Sequence, residues 1–356
     1  MICDLRSDVL GPLSAEVMEA FRRAAARPPG FGRHDDCEEL ALCREAAELF
    51  GFEDALFLPT GTLANQIAVR LWVQPGQAII VDSGAHLATN EATSVAGLNG
   101  AVLQRVDGAQ GHPSLDQIEA RLTLRTGSAV EREPHLIWLE NTHNRSGGTI
   151  MPAGQLGAIV DLARRRRVAV HVDGARIWNV LAATNEEPQR ILQGASSAMV
   201  ALNKIAGAPI GALLLGGGEF IEEAARIQKM FGGLWRPVGS LAAAAKVALR
   251  QWPSRARAAH EAAALFASGV ARGSGAACRV DPPQTNIVML RLASESHVDR
   301  VLAWLADSPV RVSPYGDAKL RCVFHSGIPF DAIAAAADIV AKAINGTVGC
   351  AGRSPE

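Results

Sequence analysis

The sequence predicts a mainly parallel α/β sheet covered by helices on both faces, followed by a smaller α+β domain. Two observations carry this. Seven short, apolar, β-rich runs recur at 55–59, 78–82, 102–106, 135–139, 168–173, 198–202 and 210–215. Between most of them lie stretches with helical apolar periodicity, such as 62–72 and 151–164. Strand–helix alternation of this kind builds a parallel sheet buried on both sides. With 48% of the 356 residues hydrophobic, a sizeable core is available, for one large domain or for two.

Taken in order, the run at 55–59 is followed by Thr60-Gly61-Thr62, which opens the helix at 62–72. The next strand, 78–82, leads through a short turn to His86. The run at 135–139 ends on Glu140-Asn141-Thr142-His143. Two further runs have the length, β-branched content and glycine bounds of buried strands. One ends on Asp173, before Gly174-Ala175-Arg176; the other leads to Lys204, before Gly207-Ala208-Pro209. Only the lysine segment separates 198–202 from 210–215. It is too short for a helical crossover, so the last strand of the seven is expected to run antiparallel. A long Ala-rich helix, 240–252 and then 254–268, should bridge to strands at 286–292, 310–313 and 320–324 and a closing helix at 330–344. The expected division is a large domain at 14–245, a small one from 1–13 and 246–346, and a disordered tail at 347–356.

A formal net charge of −1 gives no electrostatic case for nucleic acid or an anionic membrane. The basic run Arg164-Arg165-Arg166-Arg167 closes a predicted helix, where cations suit the dipole. No apolar stretch reaches the length of a membrane span, and the first residues lack the pattern of a secretory signal. The six cysteines are scattered without a metal-type CxxC pair, which fits reduced, structural thiols in a cytoplasmic enzyme; Cys37 falls in a loop near the candidate site with no evident adjacent base.

The chemistry gathers at strand carboxyl ends, where open α/β sheets bind ligands. A buried lysine amine near a positioned carboxylate is what pyridoxal phosphate requires: the lysine joins the cofactor, and the carboxylate keeps the ring nitrogen protonated. Asp173 and Lys204 supply that pair. At Thr60-Gly61-Thr62 the unpaired N–H groups of a helix start make an anion site suited to a phosphate. His86 offers an aromatic ring that could stack on a flat cofactor, and His143 ends a further strand pointing to the same edge.

In these residues, and nearly end to end, the chain resembles the L-threonine aldolase family of the aspartate-aminotransferase-type (fold type I) pyridoxal-phosphate enzymes. The resemblance rests on Asp4-Leu5-Arg6-Ser7-Asp8, Pro59-Thr60-Gly61-Thr62-Leu63-Ala64-Asn65, Glu140-Asn141-Thr142-His143, His171 to Asn179, Lys204 with Gly207-Ala208-Pro209, Lys229 to Gly233, and Gln284-Thr285-Asn286. It implies that Lys204 forms the Schiff base, Asp173 pairs with the pyridinium, His86 stacks on the cofactor, and Gly61 and Thr62 cradle its phosphate. It further implies that Ser7, Arg176 and Arg321 bind the substrate carboxylate and that His143 is an acid–base group near the β-hydroxyl. Lys229 and Arg236 would reach the phosphate of a neighbouring subunit, giving a homo-oligomer, a dimer of dimers with shared active sites.

The implied reaction is reversible cleavage of a β-hydroxy-α-amino acid, such as L-threonine or L-allo-threonine, to glycine and an aldehyde. A related β-eliminating lyase, transaldolase or racemase is the alternative; a dead homologue would be expected to have lost Lys204 or Asp173, and both are present. The chain departs from the family at residues 32–37, where a tyrosine-bearing loop is usual and the only tyrosine is Tyr315. It departs again at Asn203 and Ile205 beside the lysine, and at Leu234-Trp235-Arg236-Pro237. These departures bear on the substrate and leave the lysine–aspartate pair intact.

Overall fold

Seven β-rich segments do pair into one sheet. In chain order they are β1 (Asp54–Leu58), β2 (Ala78–Asp82), β3 (Val102–Val106), β4 (Pro134–Glu140), β5 (Ala169–Gly174), β6 (Ser197–Ala201) and β7 (Ala212–Gly216). The computed structural model in which they are seen describes residues 2–123 and 134–348. The sheet order is β1-β7-β6-β5-β4-β2-β3. Neighbours from β6 to β3 are parallel, and β7 runs antiparallel to both β6 and β1, as the short lysine segment requires.

All five residues of β2, β6 and β7 are buried, the state of strands covered on both faces. One face packs Leu56, Ile79, Trp138 and Leu214 against Ile67 and Ala68 of helix Gly61–Trp72. The other packs Ile80, Ile137 and Val170 against Ile159 and Leu162 of helix Gln155–Arg166. Each such side chain contributes about 1.5–3 kcal/mol when taken out of water. Arg164, Arg165 and Arg166 form the last turn of that second helix, so the basic run is a helix end.

The chain divides into two compact units, Leu13–Trp252 and Met1–Pro12 with Pro253–Glu356. The long Ala-rich helix expected here is Gly239–Ser274, a single 36-residue element that runs through Pro253. A proline inside a helix removes one backbone bond and costs about 3 kcal/mol. Burial of Ala256, Ala259, Ala263 and Phe266 just beyond it offsets that cost.

In the smaller unit a four-stranded antiparallel sheet has the order Ser313–Pro314, Lys319–Val323, Ile287–Arg291, Arg279–Val280. The single strand expected at 310–313 is divided, because Val310–Arg311 pairs in parallel with Cys3–Asp4 instead. Pro314, which has no N–H to donate, sits on the sheet edge. Helices Glu295–Leu305 and Phe330–Gly346 belong to the same unit. Of the expected tail, residues 349–356 lie outside the described residues. No described helix is long and apolar enough to cross a membrane.

Candidate active site

The register of the sheet sets Glu140 on β4 opposite Asp173 on β5, and Asp173 opposite Met199 on β6. Past the carboxyl end of β6 the chain turns, and Lys204 stands half-buried in that turn. The Gly207 N–H donates to the Lys204 carbonyl at 3.0 Å and the Ala208 N–H to the Leu202 carbonyl at 2.9 Å. Gly207 has φ +86°, a conformation that favours glycine.

Asp173 is buried, with each oxygen holding one donor. Oδ1 accepts from the Ala175 N–H at 3.0 Å, and Oδ2 accepts from Asn65 Nδ2 at 3.0 Å. Asn65 lies on helix Gly61–Trp72, whose start is capped by the Thr60 hydroxyl accepting from the Leu63 N–H at 3.1 Å. The N–H groups of Gly61 and Thr62 precede the first intrahelical bonds, and Thr62 is exposed.

His86 opens a short helix after β2, and its backbone N–H donates to Glu140 Oε2 at 2.5 Å. Its Nδ1 is 2.7 Å from Glu91 Oε1, and its side chain is 38% exposed. The hydrogen bond to Glu91 holds the imidazole pKa above its usual value; burial opposes this and the Asp173 charge reinforces it. Glu91 is itself fixed by Asn65 Nδ2 at 3.0 Å and Gln66 Nε2 at 2.8 Å, and Asn99 Nδ2 donates to Gln66 Oε1 at 2.9 Å. One polar atom each of His86, Glu91 and Asp173 lies within 4.8 Å of the others.

His143 is placed differently. Its side chain is 1% exposed, Nδ1 accepts from the Ser146 N–H at 3.2 Å, and Nε2 lies 3.1 Å from Asp82 Oδ1. That separation suits an ion pair, although the N–H does not line up as a hydrogen bond. Asp82 also accepts from the Gly84 and Gly108 N–H groups, both at 2.8 Å. Burial alone would push the His143 pKa down; the charges of Glu140, Asp82 and Asp173 outweigh it and raise it. The ring is enclosed so tightly that a Cβ on Gly111, whose φ is +84°, would lie 2.2 Å from its Cγ.

Arg176 is buried at the start of helix Ile177–Thr184 and donates to Asn144 Oδ1 at 3.2 Å. Lys229 and Arg236 are exposed, Arg236 lying 4.3 Å over the Phe31 ring. In the smaller unit, Arg321 donates to the Arg6 carbonyl at 3.2 Å and lies 4.4 Å over the Tyr315 ring. Ser7 caps the short 3₁₀ turn Asp8–Leu10.

The structure thus brings together Asp173, His86 and, through bonds that sequence reading missed, Asn65 and Glu91. Asp82, the partner of His143, was also missed. A signal existed for Asn65: it and Gln66 are adjacent polar residues between the buried apolar positions Ala64 and Ile67.

This donor set fits pyridoxal phosphate. It provides a doubly hydrogen-bonded carboxylate at a strand end, a half-exposed ring anchored through its inner nitrogen, an exposed helix start and a lysine in the neighbouring turn. The family model described as β-eliminating lyase matches residues 4–295. The low specificity L-threonine aldolase of Escherichia coli K12 is 36% identical over 82% of this chain and 85% of its own length. The threonine aldolase of Leishmania major superposes with a TM-score of 0.81 at 18% identity, covering 96% of this chain and 99% of that one. A structure of SPT with PLP gives a TM-score of 0.75 at 17% identity over 97% and 88%.

Fold and site define a pyridoxal-phosphate-dependent lyase of fold type I. Its fold is that of the structures it superposes on. The chain belongs to the β-eliminating lyase family, among the L-threonine aldolases.

Proposed function

We propose that this enzyme cleaves a β-hydroxy-α-amino acid of the L-threonine or L-allo-threonine type, reversibly, to glycine and an aldehyde. The observation that carries the reading is the place of Asp173 on β5, opposite Met199 on the strand that leads into the lysine turn and beside the His86–Glu91 pair. The bound cofactor supplies an electron sink for the pair released when the Cα–Cβ bond breaks.

The chain's own residues do the rest. Lys204 holds the cofactor. Asp173, oriented by one N–H donor on each oxygen, would pair with the cofactor's ring nitrogen. The N–H groups of Gly61 and Thr62 bind the phosphate, and the exposed cations Lys229 and Arg236 are offered to the phosphate of a second subunit. Arg176, Ser7 and Arg321 bind the α-carboxylate, for which an arginine fork is the matching donor. A dimer of dimers in the cytoplasm is the corresponding assembly and location.

Retro-aldol cleavage needs a base at the β-oxygen. The family resemblance gives that role to His143, whose Nδ1 faces the Ser146 N–H and whose Nε2 faces Asp82. No ring nitrogen is left for a substrate, so we assign His143 to holding the 140–149 turn. His86 is the better base: Glu91 takes Nδ1, and Nε2 remains on a ring 38% exposed. A general base of this kind contributes about 10²–10⁴-fold.

Purified protein offered L-threonine, L-allo-threonine and a phenylserine should yield glycine and aldehyde in equal amounts. Ammonia with a keto acid as the main products would overturn the aldolase reading in favour of β-elimination. Lys204→Ala should abolish the visible absorbance band of the bound cofactor; an unchanged band would refute the assignment of the lysine.

A further inference from the structure

We propose that Asn65 is a positioning residue that ties Asp173 to Glu91, holding the carboxylate that serves the cofactor and the carboxylate that orients His86 as one unit. The inference rests on the roles proposed above for Asp173 and His86.

The geometry is that of a bridge. The single Nδ2 of Asn65 gives one hydrogen to Asp173 Oδ2 and the other to Glu91 Oε1, both at 3.0 Å. All three residues are at least 98% buried. Two carboxylates so close, away from water, repel each other, and the amide N–H groups between them offset that repulsion. The orientation of the amide is forced. Turned over, Oδ1 would face two anions with no hydrogen to offer.

Other residue types fail at this position. Aspartate would add a third negative charge, leucine would leave both carboxylates short of a donor, and glutamine would overreach by one methylene.

A second observation sets Asn65 apart from an ordinary packing residue. Its Oδ1 is buried and has no hydrogen-bond partner among the described residues. An orphaned buried carbonyl is a cost to folding, and such groups in native proteins need another explanation. Here the amide is kept for its donors. Gln66 and Asn99 complete the device from behind: Gln66 Nε2 holds Glu91 Oε2 at 2.8 Å, and Asn99 Nδ2 holds Gln66 Oε1 at 2.9 Å. Glu91 cannot rotate away without breaking both sides, so a displacement at His86 is transmitted through Asn65 to Asp173.

The test uses the holoenzyme and three readouts: the cofactor dissociation constant, the pH midpoint of the visible band, and the thermal unfolding of the apoprotein. In Asn65→Leu the cofactor should bind at least about tenfold more weakly, and the band's midpoint should move by roughly one pH unit. The apoprotein should also unfold earlier, because two buried carboxylates lose their shared donor, a larger cost than the gain from removing one unsatisfied carbonyl. A role in packing alone would lower apoprotein stability as well but leave the cofactor dissociation constant and the band's pH midpoint where they were, and that result overturns the proposal.

If Asn65→Leu does not fold, Glu91→Gln carries the test. Loss of that charge reaches the cofactor through Asn65 and moves the band's midpoint, whereas an unmoved midpoint overturns the link. Parent protein with no visible band at all would sink the cofactor assignment and this inference with it. A normal parent band that Asn65→Leu leaves unchanged sinks this inference alone.

Discussion

Glu91→Gln removes one negative charge from the most heavily bonded side chain in the site while keeping its shape. Oε1 of Glu91 meets His86 Nδ1 at 2.7 Å and Asn65 Nδ2 at 3.0 Å, and Oε2 meets Gln66 Nε2 at 2.8 Å. A glutamine can satisfy only one of these sides with its oxygen. If that oxygen keeps His86 and Asn65, its NH₂ confronts the NH₂ of Gln66, which cannot turn over because Asn99 donates to its oxygen at 2.9 Å. Hydrogen bonds to charged groups contribute about 1.5–3 kcal/mol, and 1.4 kcal/mol is one pKa unit. Discounted for a ring 38% exposed, the loss should lower the His86 pKa by roughly one unit. The sign follows from its role. A base must be unprotonated, and Glu91 holds the His86 pKa above the ordinary histidine value. Activity in the parent should therefore fall as pH drops through that raised value. In Glu91→Gln the acid limb of kcat/KM should move to lower pH by about one unit, together with a fall in kcat at the optimum from the misplaced ring. Initial rates of aldehyde release between pH 5 and 9 measure both. An acid limb at the same pH in both proteins would refute the assignment of His86 as the base.

Three further outcomes follow from the same geometry. His86→Asn should slow cleavage by about 10²-fold or more while amino acid still binds, whereas His143→Asn should act mainly on stability, since it leaves buried Asp82 facing an uncharged partner; equal kinetic losses with unchanged melting would contradict this division. Arg321→Ala should weaken amino-acid binding at least about tenfold with the cofactor retained, as read by spectral titration with glycine. Glu39 is pushed up to about 7 by burial and then by Asp36. Its contribution to stability is present below the unfolded carboxyl pKa and lost as pH rises through about 7. Glu39→Gln should therefore melt a few degrees higher than the parent at pH 8.5, a gain of roughly 1–3 kcal/mol, and no higher than the parent at pH 4; a gain of the same size at both pH values would contradict the buried-acid account.

The strands were legible because parallel strands buried on both faces must be continuously apolar, and runs such as Ala78-Ile79-Ile80-Val81 admit few other readings. Asp173 and Lys204 were legible for the complementary reason: a charge directly after such a run lies at the ligand-binding edge. Asn65 and Glu91 were not read, because a polar residue within a helix, like Asn65, or just before one, like Glu91, is usually solvated, and only the tertiary fold turns these inward. The long helix through Pro253 was legible from its alanine-rich run on either side of the proline, and burial of the alanines beyond it keeps the helix continuous. His143 shows the opposite limit. Its place after β4 was plain from sequence, but the glycines and the aspartate that enclose it come from 82–84 and 108–111, distant segments that no local pattern connects to it.

The antiparallel return of β7 also bears on how the chain assembles. Every parallel neighbour in the sheet waits for a helix to cross over, and β1 can meet β7 only after everything between Leu58 and Ala212 has been placed. The pair β6–β7 needs only residues 202–211 to close, a loop already cinched by the Leu202 N–H on the Gly211 carbonyl at 2.9 Å. By loop length alone that closure is on the order of 2 kcal/mol less costly than the one joining β1 to β7. By that measure the lysine turn is among the least costly parts of the sheet to close, and the β1–β7 pair, spanning from Leu58 to Ala212, is the most costly. Loss of β1 would leave β7, with five buried apolar and glycine residues, as a bare edge open to pairing with another chain.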